Sequence, residues 1–250
     1  MNPLHIPLLF VVGLIAGVLN VLAGGGSLLT LPVLIFLGLP SAMANGTNRV
    51  AILIQNIVAV GQFRRSGLLQ TRLALVCAVP AVVGGVIGAR LAVDIDDEAF
   101  RRILAGVMIG VCVLMIFDPV KRLDFDTRRL GPVRLAVLMV SFLLIGVYGG
   151  FIQAGVGFLI IAGLLVHGLD LVRINAVKVF IIGVFTVSAL AVFIRHGQVD
   201  WGLGLALAAG NAAGGWLGSR LTITKGHGWI RRVVLTVVVL MAVRLFWLRG

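Results

Sequence analysis

Apolar runs separated by short polar breaks fill the chain from end to end. In the first half the runs cover about 4–23, 27–39, 43–63, 72–92 and 100–117. The most polar stretch follows, 118–134, where Lys121, Arg122, Arg128, Arg129 and Arg134 stand among three aspartates. The second half repeats the arrangement over about 135–153, 156–168, 174–194, 201–221 and 230–248. At about 1.5 Å per residue, most of these runs can cross a hydrocarbon core about 30 Å thick. The second run of each half has about 13 residues, or roughly 20 Å of helix, and falls short. The pattern predicts an all-α polytopic membrane protein. Its first transmembrane repeat covers 1–117, a basic cytoplasmic linker 118–134 and a second repeat 135–250. Each repeat has about five hydrophobic segments and a broken or re-entrant short helix near its start.

The two halves align with each other at an offset of 130 residues, with no gap over a long stretch. Gly25 meets Gly155, Asn45 meets Asn175, and Gly67 meets Gly197. Gly84, Gly85 and Gly88 meet Gly214, Gly215 and Gly218, and Arg101-Arg102 meets Arg231-Arg232. Glycine and arginine matches at one constant offset mark an internal duplication. An odd number of segments per copy makes the second copy run the opposite way through the membrane. Loop charges agree with this when the basic linker is cytoplasmic. Loop 64–72, with Arg64, Arg65 and Arg72, then lies inside, and the acidic loop 93–99 lies outside. Loop 195–200 lies outside and loop 220–232, with Arg220, Lys225, Arg231 and Arg232, lies inside. The expectation is two inverted repeats with both chain termini outside.

Composition narrows the class. The chain is 60% hydrophobic and 12% charged, with a mean hydropathy of +1.14. A soluble protein of 250 residues cannot hide that much apolar surface, so its solvent is the lipid bilayer. The net charge of +12 reflects the cytoplasmic bias of basic loops. Nucleic-acid binding needs a basic patch with aromatics on a soluble face, and no segment offers one. Cys77 and Cys112 lie in apolar runs and read as small buried hydrophobes. The start Met1-Asn2-Pro3-Leu4-His5 has no positive n-region, so the first run is expected to stay as a membrane helix.

Candidate chemistry gathers at the breaks. The first reads Asn20-Val21-Leu22-Ala23-Gly24-Gly25-Gly26-Ser27. Each glycine costs a helix about 1 kcal/mol relative to alanine, and irregular backbone survives in a membrane only inside protein or along a polar cavity. With Ser27 as the N-cap of the short helix, free N–H groups would face the gap and form an anion site. Close helix packing through small residues is the plainer alternative. The second break, Gly149 to Gly157, carries Gln153, Gly155 and Gly157; Gln153 can bind a ligand or bridge two helices. After the first short helix come Asn45, Thr47, Asn48 and Arg49. The three polar side chains can donate to an oxyanion, and Arg49 either supplies charge or snorkels to the interface. Ser41 or Thr47 can also act as a simple cap. Their counterparts are Asn175 and Lys178, the latter an anion-attracting or an anchoring cation. Gln55, Asn56, Gln62, Ser188 and Asn211 read as helix-linking polar groups.

All nine acidic residues fall in loops or at span ends, and the four histidines are also near ends. No intramembrane carboxylate is available for a cation site or a proton relay, which favours an anionic substrate. There is no Walker-type loop, no metal-ligand cluster and no nucleophile–base pair, so neither a cofactor nor an enzyme is expected.

The run Gly17, Asn20, Ala23-Gly24-Gly25-Gly26-Ser27-Leu28, then Pro32, Gly38-Leu39-Pro40, Ala44 and Gly46-Thr47-Asn48, resembles the sulfite exporter TauE/SafE family of membrane permeases. The resemblance extends over nearly the whole chain. The family often has glycine where Ser27 stands and proline near Ala162. What the resemblance implies is transport of sulfite, organosulfonates or related anions across the bacterial inner membrane. The small anion would sit between the two broken hairpins while the repeats rock in alternating access. Gly24–Ser27 and Gln153–Gly157 would supply backbone donors, with Asn45, Thr47, Asn48 and Lys178 completing the cage. The rival readings are a permease for another small solute and a membrane scaffold, and a homo-oligomer is compatible with each. A cavity reaching the glycine breaks favours transport; dry, packed glycines favour a scaffold.

Overall fold

The computed structural model describes residues 4–117, 131–165 and 170–247, with side chains at 4–110, 131–165 and 170–225. Among the described residues all regular structure is helical: α1 (His5–Leu22), α2 (Ser27–Phe36), α3 (Ser41–Arg65), α4 (Thr71–Asp94), α5 (Asp97–Phe117), α6 (Pro132–Phe151), α7 (Val156–Leu165), α8 (Leu171–Arg195) and α9 (Trp201–Trp247). The helices α1, α4, α6 and α8 have the length and hydropathy of membrane spans. α3 has 25 residues, as α8 does, but its polar residues lower its hydropathy. Those residues are sequestered: Asn45, Thr47, Asn48, Arg49, Gln55 and Asn56 are all fully buried. The short helices α2 and α7 have 10 residues each, about 15 Å.

Two segment boundaries differ from expectation. The run 201–221 and the described part of 230–248 lie on the single 47-residue helix α9, about 70 Å long. The polar stretch after Leu221 contains no proline, so nothing forces a stop. Thr222 and Thr224 donate their hydroxyls to the carbonyls of Gly218 and Arg220, which absorbs side-chain polarity inside the helix. Ser27 is not the N-cap of α2 either. That place belongs to Gly26.

Two helices that the 130-residue offset aligns have matched ends. α3 and α8 end alike: Gly67 and Gly197 both take φ +67, and the next residues donate back to Phe63 and Phe193. This is the left-handed glycine cap that closes many helices.

Packing, however, runs between the copies. α1 lies along α9, and α6, its counterpart, lies along α4. Glycines allow both close approaches: a Cβ on Gly17 would overlap the backbone of Asn211 and Gly214, and one on Gly84 would overlap Leu143 and Val147. The result is two bundles, each drawn from both copies. In one, α1, α2, α3 and α9 share a core that includes Leu9, Leu34, Ala51 and Leu207. In the other, α4, α6, α7 and α8 pack around Ala78, Phe142, Ile160 and Phe185. The bundles meet along α3 and α8. Leu75, Val79, Val83, Ile87 and Leu91, spaced four apart on α4, are exposed. An outward stripe of that kind is a lipid-facing surface.

Candidate functional site

The two breaks touch. A Cβ on Gly24 would overlap the backbone of Gly157, and a Cβ on Gly157 would overlap Gly24. Gly24 has φ +87 and Gly155 φ +74, a left-handed backbone in each break. Gly25 faces the ring of Phe158, and Gly26 packs against the Ala16 carbonyl and the Asn20 side chain. The glycines are packed here, and this conformation is closed where the breaks meet. A surface depression of about 290 Å³ bounded by Asp96, Glu98, Ala99, Arg102 and Ile103 lies elsewhere, at the start of α5.

A broken helix leaves its last carbonyls unpaired and its C-terminus partly negative. Both breaks meet that demand in the same way. At the end of α1, Lys178 donates to the carbonyls of Asn20 at 3.1 Å and Val21 at 2.7 Å, and Asn175 donates to Leu22 at 3.4 Å. At the end of α6, Arg49 donates to the carbonyl of Gly150 at 2.5 Å, and Asn45 to that of Phe151 at 2.8 Å. Each long helix thus sends an asparagine and a cation to cap the broken helix of the other copy. Aligned by number, Lys178 matches Asn48. In the fold its counterpart is Arg49, because positions three and four residues beyond an asparagine share a helix face.

The two cations differ in saturation. An ammonium has three donors, and Lys178 uses them on Asn20, Val21 and the Asn175 side chain at 2.8 Å. Arg49 also reaches the Asn45 side chain at 3.4 Å, and its guanidinium lies 4.8 Å from the centre of the Phe193 ring. Its Nε and Nη1 have no partner among the described residues. Full burial rules out snorkelling for both. Among the described residues neither side chain is paired with a carboxylate; Arg101–Asp97, Arg102–Glu98 and Arg173–Asp170 are ion pairs elsewhere.

The other expected residues form short links. Asn48 donates to Ser27 Oγ at 3.2 Å and accepts from Thr30 at 2.6 Å, which fastens α2 to α3. Thr47 accepts the Asp200 N–H at 2.9 Å, tying α3 to the start of α9. Asn20 donates to Gln55 at 3.3 Å, and Gln153 donates to Thr186 at 2.8 Å. Thr186 and Phe193 escaped the sequence reading, since a threonine and a phenylalanine in an apolar run carry no distinguishing signal. Gln55, Asn56 and Asn211 read as helix-linking groups, yet Gln55 Nε2, both amide atoms of Asn56 and Asn211 Oδ1 have no partner among the described residues.

A helical chain with several spans, two broken short helices in contact inside it and buried cations at the breaks belongs with membrane transporters. The model of the sulfite exporter TauE/SafE family matches residues 9–245, and the chain belongs to that family. A probable membrane transporter protein of Haemophilus influenzae is 28% identical over 97% of this chain and 95% of its own. The probable membrane transporter protein ORF9 of a Sinorhizobium species is 29% identical over 95% and 90%. The probable membrane transporter protein YfcA of Escherichia coli K12 is 28% identical over 98% and 91%. No solved structure matches the chain.

Proposed function

We propose that the chain is a secondary permease that moves small sulfur-containing oxyanions, such as sulfite or organosulfonates, across the bacterial inner membrane by alternating access. The observation that carries this is the pair of fully buried cations, Arg49 and Lys178, with no carboxylate opposite either one among the described residues. Two such charges bring +2 into the membrane interior. Two capped helix C-termini return about −0.5 each, leaving about +1. One monovalent anion balances that remainder, whereas a cation adds to it. The uncapped N-terminus of α2 adds polarity of the same sign nearby.

The moving parts in this reading are the two mixed bundles rather than the two sequence repeats. They rock about the α3/α8 seam, and the contact of Gly24 with Gly157 opens and closes. In this reading the first repeat starts outside and the second runs inverted to it, but α9, continuous over Trp201–Trp247, does not turn back at 220–232 as two outside termini require. The protein performs no bond chemistry, and export down an inside-negative potential gains about 2.3 kcal/mol per charge per 100 mV. The packed glycines also suit a scaffold. Flux in proteoliposomes separates the two: sulfite, sulfoacetate or thiosulfate should leave vesicles faster when the interior is negative. A purified chain that neither moves nor binds any of them rejects the permease reading.

A further inference from the structure

Buried amides in membrane proteins normally join helices, with each polar atom taken by a neighbour. Asn56 on α3 breaks that rule. It is fully buried, and neither its Nδ2 nor its Oδ1 has a partner among the described residues. Beside it in the chain, Gln55 accepts from Asn20 but leaves Nε2 unpaired. Gln153 donates to Thr186 and leaves Oε1 unpaired.

The duplication accounts for the vacancy. Thr186 holds the place on α8 that Asn56 holds on α3, 130 residues earlier. In the second copy, Thr186 is met by Gln153 from the break. In the first copy the matching break residue is Ala23, which has no polar atom to offer. Asn56 therefore faces an incomplete arrangement. A leucine there would fill similar volume without an unpaired amide in a low-dielectric interior. The residue also lies at the seam between the bundles: its Cβ is 3.4 Å from where a Cβ on Gly183 of α8 would stand. When the bundles part, this side chain becomes accessible.

We propose that Asn56, with the Gln153 amide held on Thr186 one turn beyond Gly183 on α8, forms a second, uncharged station for the transported anion. It lies two helical turns beyond Arg49 on the same face of α3. The proposal rests on the permease reading and deepens it. Amide N–H groups receive the oxyanion oxygens, and the free amide oxygens receive a hydroxyl or water that travels with it. The station thus fits a monoanionic oxyanion that keeps an O–H, such as hydrogen sulfite, or a sulfonate carrying its hydration water. Neutral donors hold an anion more weakly than Arg49 does, and a path needs sites that release as well as bind.

The test uses the full chain in proteoliposomes, with Cys77→Ala and Cys112→Ala as background. Asn56→Cys should be modified by an anionic methanethiosulfonate reagent, and saturating sulfoacetate should slow the modification several-fold. Ala51→Cys, on the same helix but inside one bundle in an apolar cluster with Leu9 and Leu207, should stay unmodified. Asn56→Leu should keep or raise Tm while losing most sulfite flux, and Asn56→Gln should recover part of it. An unmodified Asn56→Cys, or modification that sulfoacetate leaves untouched, overturns the station. Wild-type flux with equal flux from Asn56→Leu overturns the station alone. A wild-type chain that moves none of the anions overturns the permease reading and the station with it, even if Asn56→Cys reacts.

Discussion

Replacing Lys178 with methionine separates a structural cap from a ligand. The ammonium satisfies the carbonyls of Asn20 and Val21 and the side chain of Asn175. Without it, three buried acceptors lose their donor, at about 1–3 kcal/mol for each unpaired group. Methionine has similar length and avoids desolvating a charge, a saving of several kcal/mol. The balance is a net loss of about 3–5 kcal/mol, the unpaired acceptors outweighing the desolvation that is saved. For a chain of this size that lowers Tm by roughly 6–20 °C. Thermal unfolding in detergent, followed by the fluorescence of the four tryptophans, reads the shift directly. Arg49→Met is the matched comparison. It gives up two hydrogen bonds but also removes the unpartnered Nε and Nη1. Its Tm should fall by less than half as much, while its flux should collapse. A Lys178→Met protein whose Tm stays within about 2 °C of wild type refutes the cap, and loss of flux at that unchanged Tm would make Lys178 a ligand.

Gly24→Ala forces a Cβ into the backbone of Gly157, an overpacking that should cost at least about 1–3 kcal/mol. Gly106→Ala has open space around it and should be neutral or stabilising by up to about 1 kcal/mol; thermal unfolding of the two variants checks the contrast. Asp97, the first residue of α5, accepts the Ser41 N–H at 2.5 Å and pairs with Arg101 at 2.8 Å. The Ser41 N–H foremost, and then the Ser41 side chain, hold its carboxyl below the usual range. A folded pKa lower than the unfolded one stabilises at pH values above about 4 and is lost as pH falls through the depressed value. Tm should therefore not change between pH 5 and 8 on this account, and Asp97→Asn should flatten the acid limb of its pH profile.

Hydrophobic run lengths locate α1 to α8 to within a few residues, because in lipid an apolar run has little choice but helix. They could not show that α9 continues through the Lys225 region, where polarity resembles a loop but no proline interrupts the hydrogen bonding. The glycine matches at 84–88 and 214–218 were legible as a 130-residue offset. Their use as contacts between copies was not, since helix partners are a property of the assembled bundle. Lys178 and Asn48 share an aligned position yet differ in task. Helical geometry, which treats the third and fourth residues as one face, made Arg49 the true counterpart. Asn56 shows the remaining gap. A sequence reveals an amide in a span, and only the assembled neighbours reveal that it lacks a partner.

The pairing of α1 with α9 and of α4 with α6 has a consequence for biogenesis. Neither half carries its own complete packing surface, so the first half leaves the ribosome with glycine-lined faces waiting for helices not yet made. At about 5–20 residues per second, the second half follows over roughly 6–25 seconds. During that interval Gly13, Gly17, Gly84 and Gly88 face lipid or the insertion machinery rather than α6 and α9. The gene should accordingly tolerate being cut at the basic linker, with the two fragments assembling when coexpressed and neither accumulating alone.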